Sequence, residues 1–355
     1  MKIKSIDVWR MNLGNTRPYT IAFKTVSDVD SVFVKLTLEN GIYGIGAGNP
    51  SQQVVGESLD DTLTTLSEEN LQFLIGRDIR EFNGILHEVM TRFPKTPAAR
   101  AALDIALHDG FCKYLGVPVA AFLGQKIDKM ETSVTIGIKN VADTLEEAQE
   151  YYDMGLRCLK VKTGHDVDED IERMVKLREV FSSQMKIRVD ANQGYEKEDL
   201  FKFFNDTKAL DIELIEQPLK SSNIMEMKTL PDEVKGLIAA DESLKSPENA
   251  FELASPPMAS KIFNIKLMKS GGIYPAIQIA NIARVSGVEL MWGCNDESAV
   301  SISAALHAAL CFSNTKYIDL DGSLDLVQDA VSGGFKIENG WMSVTDKPGL
   351  GVELI

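Results

Sequence analysis

Positive charge is scarce in this 355-residue chain: 37 lysines and arginines against 52 acids leave a formal net charge of −15. Nucleic acid and anionic membrane surfaces demand clustered positive charge, so neither is an expected partner. Long apolar runs are missing too. None approaches the ~20 residues that cross a bilayer. The opening "MKIKSIDVWRM" alternates as a strand does and lacks the apolar core of a secretion signal. Only four cysteines occur, Cys112, Cys158, Cys294 and Cys311, with no CxxC spacing. That density builds no disulfide framework, and the four read as small apolar fillers rather than ligands. A reducing cytoplasm is the expected compartment. What remains, 44% apolar and 25% charged, is an ordinary globular composition, long enough for one large barrel with an accessory domain.

The first third reads as a mixed α+β unit. "SVFVKLTLENGIYGIGAG" holds two alternating runs around Asn40-Gly41, a strong hairpin signal. Gly41, Gly44, Gly46 and Gly48 miss the register of a dinucleotide-binding loop and are expected at turns and close-packing positions. Further on, "TPAARAALDIALHDGFCKYLG" places Thr96 as N-cap, Pro97 at the first helical position and Gly116 just past the end. The polar, irregular stretch over residues 14–28 has the character of a flap.

From about residue 131 short apolar runs alternate with longer helical segments, the pattern of β/α units around a parallel sheet. Taking Thr135 in "SVTIGI" and then the run ends Lys162, Asp190, Glu216, Asp241, Lys266, Gly293 and Asp321, the intervals are 27, 28, 26, 25, 25, 27 and 28 residues. Eight units so evenly spaced close into a (β/α)₈-type barrel. An open doubly wound sheet is the alternative, but it requires a topological switch point that this spacing does not supply.

Charged side chains gather at the run ends, where barrel enzymes place their chemistry. Asp190, Glu216 and Asp241 come from adjacent strands and offer only hard oxygen ligands, which suits Mg²⁺, with Mn²⁺ as a substitute. Zinc is poorly served, because no histidine or cysteine joins them. In "CLKVK", Lys160 and Lys162 leave the same face of a strand. Ordinarily such a pair guards an exposed edge; here the acid ring supplies the opposite charge that lets them turn inward. Lys266 lies four strands from Lys162 and faces it across the barrel mouth. Two amines on opposite sides of one carbon are what a 1,1-proton transfer requires.

"KVK" at 160–162, "VDANQG" at 189–194, "IEQP" at 215–218, "ADES" at 240–243 and "NIKLMKSGG" at 264–272 resemble the muconate-lactonizing subgroup of the enolase superfamily. "ARAALDIALHD" and "KPGLGVEL" extend the resemblance over essentially the whole chain. The resemblance implies an α/β fold: a modified (β/α)₇β TIM-type barrel over 126–322, an α+β capping domain over 1–125 with the flap around 14–28, and a segment, 323–355, returning to the cap. It implies one Mg²⁺ on Asp190, Glu216 and Asp241, and Lys162 and Lys266 as the acid/base pair. Lys160, Thr135, Lys24, Asp319 and Asp321 would bind substrate. Asn192, Glu242 and Glu297 would orient the groups around them.

The pair in "DLD", Asp319 and Asp321, resembles the site where dipeptide epimerases receive the substrate's α-ammonium group. Lys24 takes a position where L-Ala-D/L-Glu epimerases carry an arginine for the glutamate carboxylate; lysine keeps the charge and loses the bidentate fork. Arg17 is a second candidate. The expected reaction is therefore epimerisation of a small dipeptide, alanine followed by an acidic residue, by a homo-oligomer in murein-peptide metabolism. O-succinylbenzoate synthase and N-acylamino acid racemase are alternatives within the subgroup, and a silent metal-binding barrel is a third reading. Mandelate racemase and the acid-sugar dehydratases differ by a histidine base on the seventh strand, where "MWGCNDES" has none. Of His87, His108, His165 and His307, only His165 is expected near the site, as a loop residue.

Overall fold

A computed structural model of the chain describes residues 1–16, 19–21, 24–26 and 28–355, the backbone alone for 19–21 and 24–26. Arg17 and the side chain of Lys24 lie outside the described residues.

Five strands open the chain: β1 (Ile3–Asn12), β2 (Tyr19–Ile21), β3 (Lys24–Val26), β4 (Asp30–Leu38) and β5 (Tyr43–Gly48). β1, β4 and β5 form an antiparallel sheet, while β2 and β3 make a hairpin within the stretch expected as a flap. Val32, Val34, Leu36 and Leu38 alternate along β4 into a cap core shared with Ile85, Leu86 and Val89 of the helix Phe82–Arg92. Phe33, on the other face, joins the main core that runs through the barrel.

The helix Pro97–Leu115 is apolar on nearly every side because it is enclosed between cap and barrel. The glycines of β5 explain how it comes so close. A Cβ at Gly44, Gly46 or Gly48 would stand 2.0, 2.1 or 2.4 Å from the carbonyl oxygens of Ala106, Ala102 and Ala98. Sheet period and helix period therefore meet, with a glycine at every second residue of the strand and an alanine at every fourth residue of the helix. Thr96 does occupy the N-cap position, but its side chain makes no capping bond. The buried Glu57 carboxylate takes that place, accepting Ala98 N at 2.6 Å and Ala99 N at 3.1 Å.

After β6 (Met130–Glu131), the barrel strands follow in chain order: β7 (Val134–Ile136), β8 (Cys158–Lys162), β9 (Lys186–Asp190), β10 (Ile212–Glu216), β11 (Ile238–Ala240), β12 (Ile262–Ile265), β13 (Glu289–Gly293) and β14 (Thr315–Asp319). They form one eight-stranded parallel sheet in sequential order. Closure is made just before β7, where Thr132 bridges Ile318 and Ser133 N donates to Ile318 O at 3.2 Å. Asp241, Lys266 and Asp321, expected as run ends, lie one, one and two residues beyond their strands. The Asp241 N–H leaves the ladder to donate to Gln217 Oε1 at 3.0 Å.

The last strands are β15 (Val331–Gly333), β16 (Phe335–Glu338), β17 (Trp341–Val344) and β18 (Val352–Leu354). β17 pairs with β6 beside the barrel, and the tail then reaches the cap: Gly349 N donates to Val117 O at 2.9 Å and Leu350 N to Asp109 Oδ1 at 2.8 Å. Among the described residues no helix is long and apolar enough to cross a membrane.

Candidate active site

Strand register brings the charged ring to one depth: Lys162 stands opposite Asp190, and Asp190 opposite Glu216. Both lysines of "KVK" point inward. Lys162 Nζ donates to Asp190 Oδ2 at 2.6 Å. Lys160 Nζ sits 2.7 Å from Asp319, 3.1 Å from Glu216 and 3.3 Å from Asp190. Lys266 reaches the ring from beyond β12, 2.9 Å from Asp241 and 4.0 Å from Glu216.

These charges set one another's titration. Lys162, Lys160 and Lys266 outweigh burial and hold Asp190 down at about 2. Burial, with Asp190 beside it, pushes Glu216 up to about 8. Asp241 is held well below the carboxylate range, because Lys266 and Lys269 outweigh its burial. Burial alone would lower Lys266, but Asp241, Glu216 and Asp190 hold it above the ordinary lysine value. Lys160 is likewise raised by Asp319, Glu216 and Asp190 against its burial.

Among the described residues no three carboxylates stand at a spacing that holds a metal ion as they lie. Ammonium groups approach Asp190, Glu216 and Asp241. The trio nevertheless fits a hard divalent cation. All three are buried oxygen donors on neighbouring elements. Burial, with Asp190 beside it, makes the charge of Glu216 costly, and a cation bound there would offset that cost. Its Oε2 has no hydrogen-bond partner, since Lys160 is near but not aligned with it.

Two lobes meet over this ring and share Lys162, Cys294, Asn295 and Asp296. The smaller, about 500 Å³, lies beneath residues 28–30 and 49–54 and is lined by both Lys162 and Lys266, with Asn192 and Glu242. Asn192 N donates to Asp190 Oδ1 at 3.0 Å, and its Nδ2 reaches Glu242 Oε1 at 3.4 Å. Asn192, expected to orient the groups around it, thus touches Asp190 through its backbone N–H and Glu242 through its side chain. Burial, then Asp241 and Asp190, pushes Glu242 up to about 7.

The larger lobe, about 630 Å³, contains Thr135, Asp319 and Asp321. The two aspartates differ more than their common motif implied. Asp319 is the partner of Lys160 and accepts Ser133 Oγ at 2.7 Å. Asp321 accepts Thr135 N at 2.8 Å, and burial beside Asp319 pushes it up to about 7. Thr135 thereby fixes Asp321 through its backbone. The rest of this lobe is acidic: among the described residues eight carboxylates and three lysines line it, with Asp143, Glu146, Glu147 and Glu150 along one helix. Of the lysines, Lys139 pairs with Glu147 at 2.5 Å. Glu297 is buried in the loop after β13, where it accepts Asn295 N at 2.8 Å. His165 lies in the exposed loop after β8.

Three supporting residues escaped the sequence reading. Lys269 Nζ donates to the Asp241 carboxylate, to Asp241 O at 2.5 Å and to Asn264 O at 3.2 Å. Asn264 Nδ2 donates to Glu216 Oε1 at 2.9 Å. Gln217 Oε1 accepts from Asp241 N, Ser243 N and Ser243 Oγ. The signal for two of them was present: Asn264 and Lys266 alternate as Lys160 and Lys162 do, and Lys269 follows Lys266 by three positions, one helical turn.

Residues 5–124 match the mandelate racemase / muconate lactonizing enzyme N-terminal domain, and residues 143–355 match the enolase C-terminal domain-like family. An L-Lys-D/L-Arg epimerase of Desulforapulum autotrophicum is 52% identical over the full length of both chains. The crystal structure of a dipeptide epimerase from Methylococcus capsulatus, complexed with Mg and L-Arg-D-Lys, superposes with a TM-score of 0.98 at 46% identity, covering 99% of each chain. A substrate-liganded L-Ala-D/L-Glu epimerase from Bacillus subtilis gives 0.95 at 33% identity, again over 99% of each chain.

Proposed function

Because the chain belongs to the mandelate racemase / muconate lactonizing enzyme family of the enolase superfamily and is a dipeptide epimerase, an isomerase, we propose that its substrates are dipeptides with cationic side chains. One observation carries the choice of side chain: among the described residues, the large lobe beside Lys162 holds eight carboxylates against three lysines. An acidic side chain would meet like charge there, whereas a lysine or arginine meets compensation for its lost water. The lysine and arginine in the names of the relatives that are 52% and 47% identical support the same choice. The expectation of alanine followed by an acidic residue gives way to this reading, and Lys24 is not needed for it.

In this reading Asp321, fixed by Thr135, receives the α-ammonium group of the first residue. Asp319 balances Lys160, whose ammonium would add positive charge beside the substrate carboxylate. Mg²⁺, when held by Asp190, Glu216 and Asp241, supplies positive charge at the carboxylate of the second residue and so makes its α-proton removable. Lys162 and Lys266, on opposite sides of the small lobe, then move the proton: one takes it from the α-carbon and the other returns one to the far face. Asn192 N holds Asp190 Oδ1 and Lys269 holds the Asp241 carboxylate, so each acid that would bind the metal keeps one orientation.

Incubation of the purified protein with Mg²⁺ in D₂O, followed by proton NMR of the α-hydrogens, tests the proposal. L-Lys-L-Arg should exchange and epimerise at its second residue with kcat/KM at least ~10-fold above that for L-Ala-L-Glu, a difference of ~1.4 kcal/mol in transition-state binding. Faster turnover of L-Ala-L-Glu would reverse the substrate assignment. Turnover of N-succinyl-arginine in preference to any dipeptide would move the protein to the N-acylamino acid racemases.

A further inference from the structure

The turn that carries Lys266 is short, and different parts of the protein hold its two ends. β12 stops at Ile265, Lys266 opens the single helical turn Leu267–Ser270, Gly271 and Gly272 follow, and the helix Ile273–Ser286 begins. That helix has no capping side chain of its own, since its N-cap is Gly272 at φ 114°. Its first two N–H groups are satisfied from the capping domain. Asp104, in the helix Pro97–Leu115, accepts Ile273 N at 2.6 Å through Oδ1 and Tyr274 N at 3.1 Å through Oδ2.

Asp104 is fully buried, and His108 places Nδ1 3.1 Å from its Oδ1. One turn earlier, Arg100 lies over Gly271 with Nη2 3.5 Å from Ser270 O. The glycine pair is what allows this contact. A Cβ at Gly272 would stand 2.4 Å from Asp104 Cγ, and one at Gly271 2.7 Å from Arg100 Nε. Lys162 is held differently, as the last residue of the regular strand β8. The loop after it is held by Thr163 N on Asp190 O at 2.8 Å and Gly164 N on Asp170 Oδ2 at 2.8 Å, both within the barrel.

We propose that Asp104 is a positioning residue for Lys266: by capping the helix Ile273–Ser286 from the other domain it fixes the turn that aims this lysine, while Lys162 takes its direction from the end of strand β8. The inference rests on the epimerase reading, in which each lysine serves one face of the α-carbon. Its signature is therefore one-sided. A general loss of structure would slow both faces together.

The test is α-proton exchange in D₂O measured separately from L-Lys-L-Arg and from L-Lys-D-Arg, with Lys162→Ala and Lys266→Ala assigning each epimer to its lysine. In Asp104→Asn, exchange from the epimer that Lys266 deprotonates should fall ~10-fold or more, while the other stays within about twofold, since a misplacement of ~1 Å costs up to ~100-fold. Equal losses from both epimers, or no loss from either, overturn the proposal. Should Asp104→Asn fail to fold, His108→Gln removes the imidazole that bonds Asp104 O at 2.8 Å and lies 3.1 Å from its Oδ1, and should give a smaller loss with the same one-sidedness. Reductive methylation scored by mass spectrometry gives a readout that needs no turnover. Asp104→Asn should raise labelling of Lys266 relative to Lys162, and an unchanged ratio counts against the proposal. Wild-type protein that exchanges neither epimer would overturn the epimerase reading, and the labelling ratio would still decide the role of Asp104.

Discussion

The two walls of the site hold the same functional group by different means. On one wall Lys162 ends a regular strand, and the bonds described for Thr163 N and Gly164 N come from the barrel: Asp190 O and Asp170, the latter held in turn by Tyr195 OH at 2.8 Å. On the other wall Lys266 stands on a single helical turn pinned by Asp104 and Arg100 of the cap, with Met268 Sδ receiving Asn49 N from the end of β5. A lysine at a strand end inherits its direction from the ladder. A lysine on an isolated turn has no such frame, because one turn makes too few internal bonds to hold itself. The capping domain therefore does more than roof the cavity: it supplies half of the geometry that the chemistry needs.

The largest expected effects test whether the walls are equivalent in chemistry. Lys162→Ala and Lys266→Ala should each lower epimerisation by ~10³-fold, the scale of a lost general acid or base. Each should keep exchange from one epimer only, and the surviving epimers should be opposite. Loss of the same epimer in both variants would break the two-sided picture. The mirror of the Asp104 test comes next. Asp170→Asn weakens the acceptor shared by Gly164 N, Tyr195 OH and Arg173. It should lower exchange at the Lys162 face by ~10-fold and spare the Lys266 face. If Asp170→Asn and Asp104→Asn impair the same face, the division between barrel-held and cap-held walls is wrong.

The same division marks what the sequence made legible. Lys162, Asp190 and Glu216 could be placed because a strand's period and the even interval between strands carry the information locally. Gly44, Gly46 and Gly48 were readable as close-packing positions, although their partners, the carbonyls of Ala98, Ala102 and Ala106, were not. Asp104 and Glu57 defeated the reading for one reason. Each caps a helix from far along the chain, Asp104 at a separation of 169 residues and Glu57 at 41, and no local pattern records such a partnership. Thr96 illustrates the converse: the local signal for an N-cap was correct in position and a tertiary carboxylate made the bonds. Asp319 paired with Lys160 rather than remaining the twin of Asp321, because strand closure between β14 and the start of β7 brings Lys160 beside it.

A smaller effect concerns the lobe outside Lys162. Glu146→Gln combined with Asp143→Asn removes two negative charges from the wall that faces a cationic side chain. kcat/KM for L-Lys-L-Arg should fall by ~5–10-fold, the preference over a neutral dipeptide such as L-Ala-L-Ala should narrow, and the loss should shrink at high salt. Exchange at both faces of the α-carbon should fall together, since these acids bind substrate without aiming either lysine. A one-sided loss would mean that the acid wall also positions Lys162.

The smallest effect is one of stability, and it lies in the loop between the two walls. Burial pushes Glu297 up to about 7 from a reference of 4.5. A carboxyl whose value rises on folding binds its proton more tightly in the folded state, so its contribution to stability is complete below pH 4.5 and is lost as pH climbs through 7. Glu297→Gln keeps an oxygen for Asn295 N and cannot ionise. Wild type should therefore lose melting temperature between pH 5 and pH 8 more steeply than the variant, with the two curves converging at the acid end and separating by ~2 °C or more at the alkaline end. Parallel curves would show that Glu297 keeps its charge when buried and that something in the loop compensates it. Because Asn295 and Asp296 line both lobes, that result would also make the junction between the walls a charged element rather than a neutral spacer, and substrate charge would then be sensed on both sides of the α-carbon.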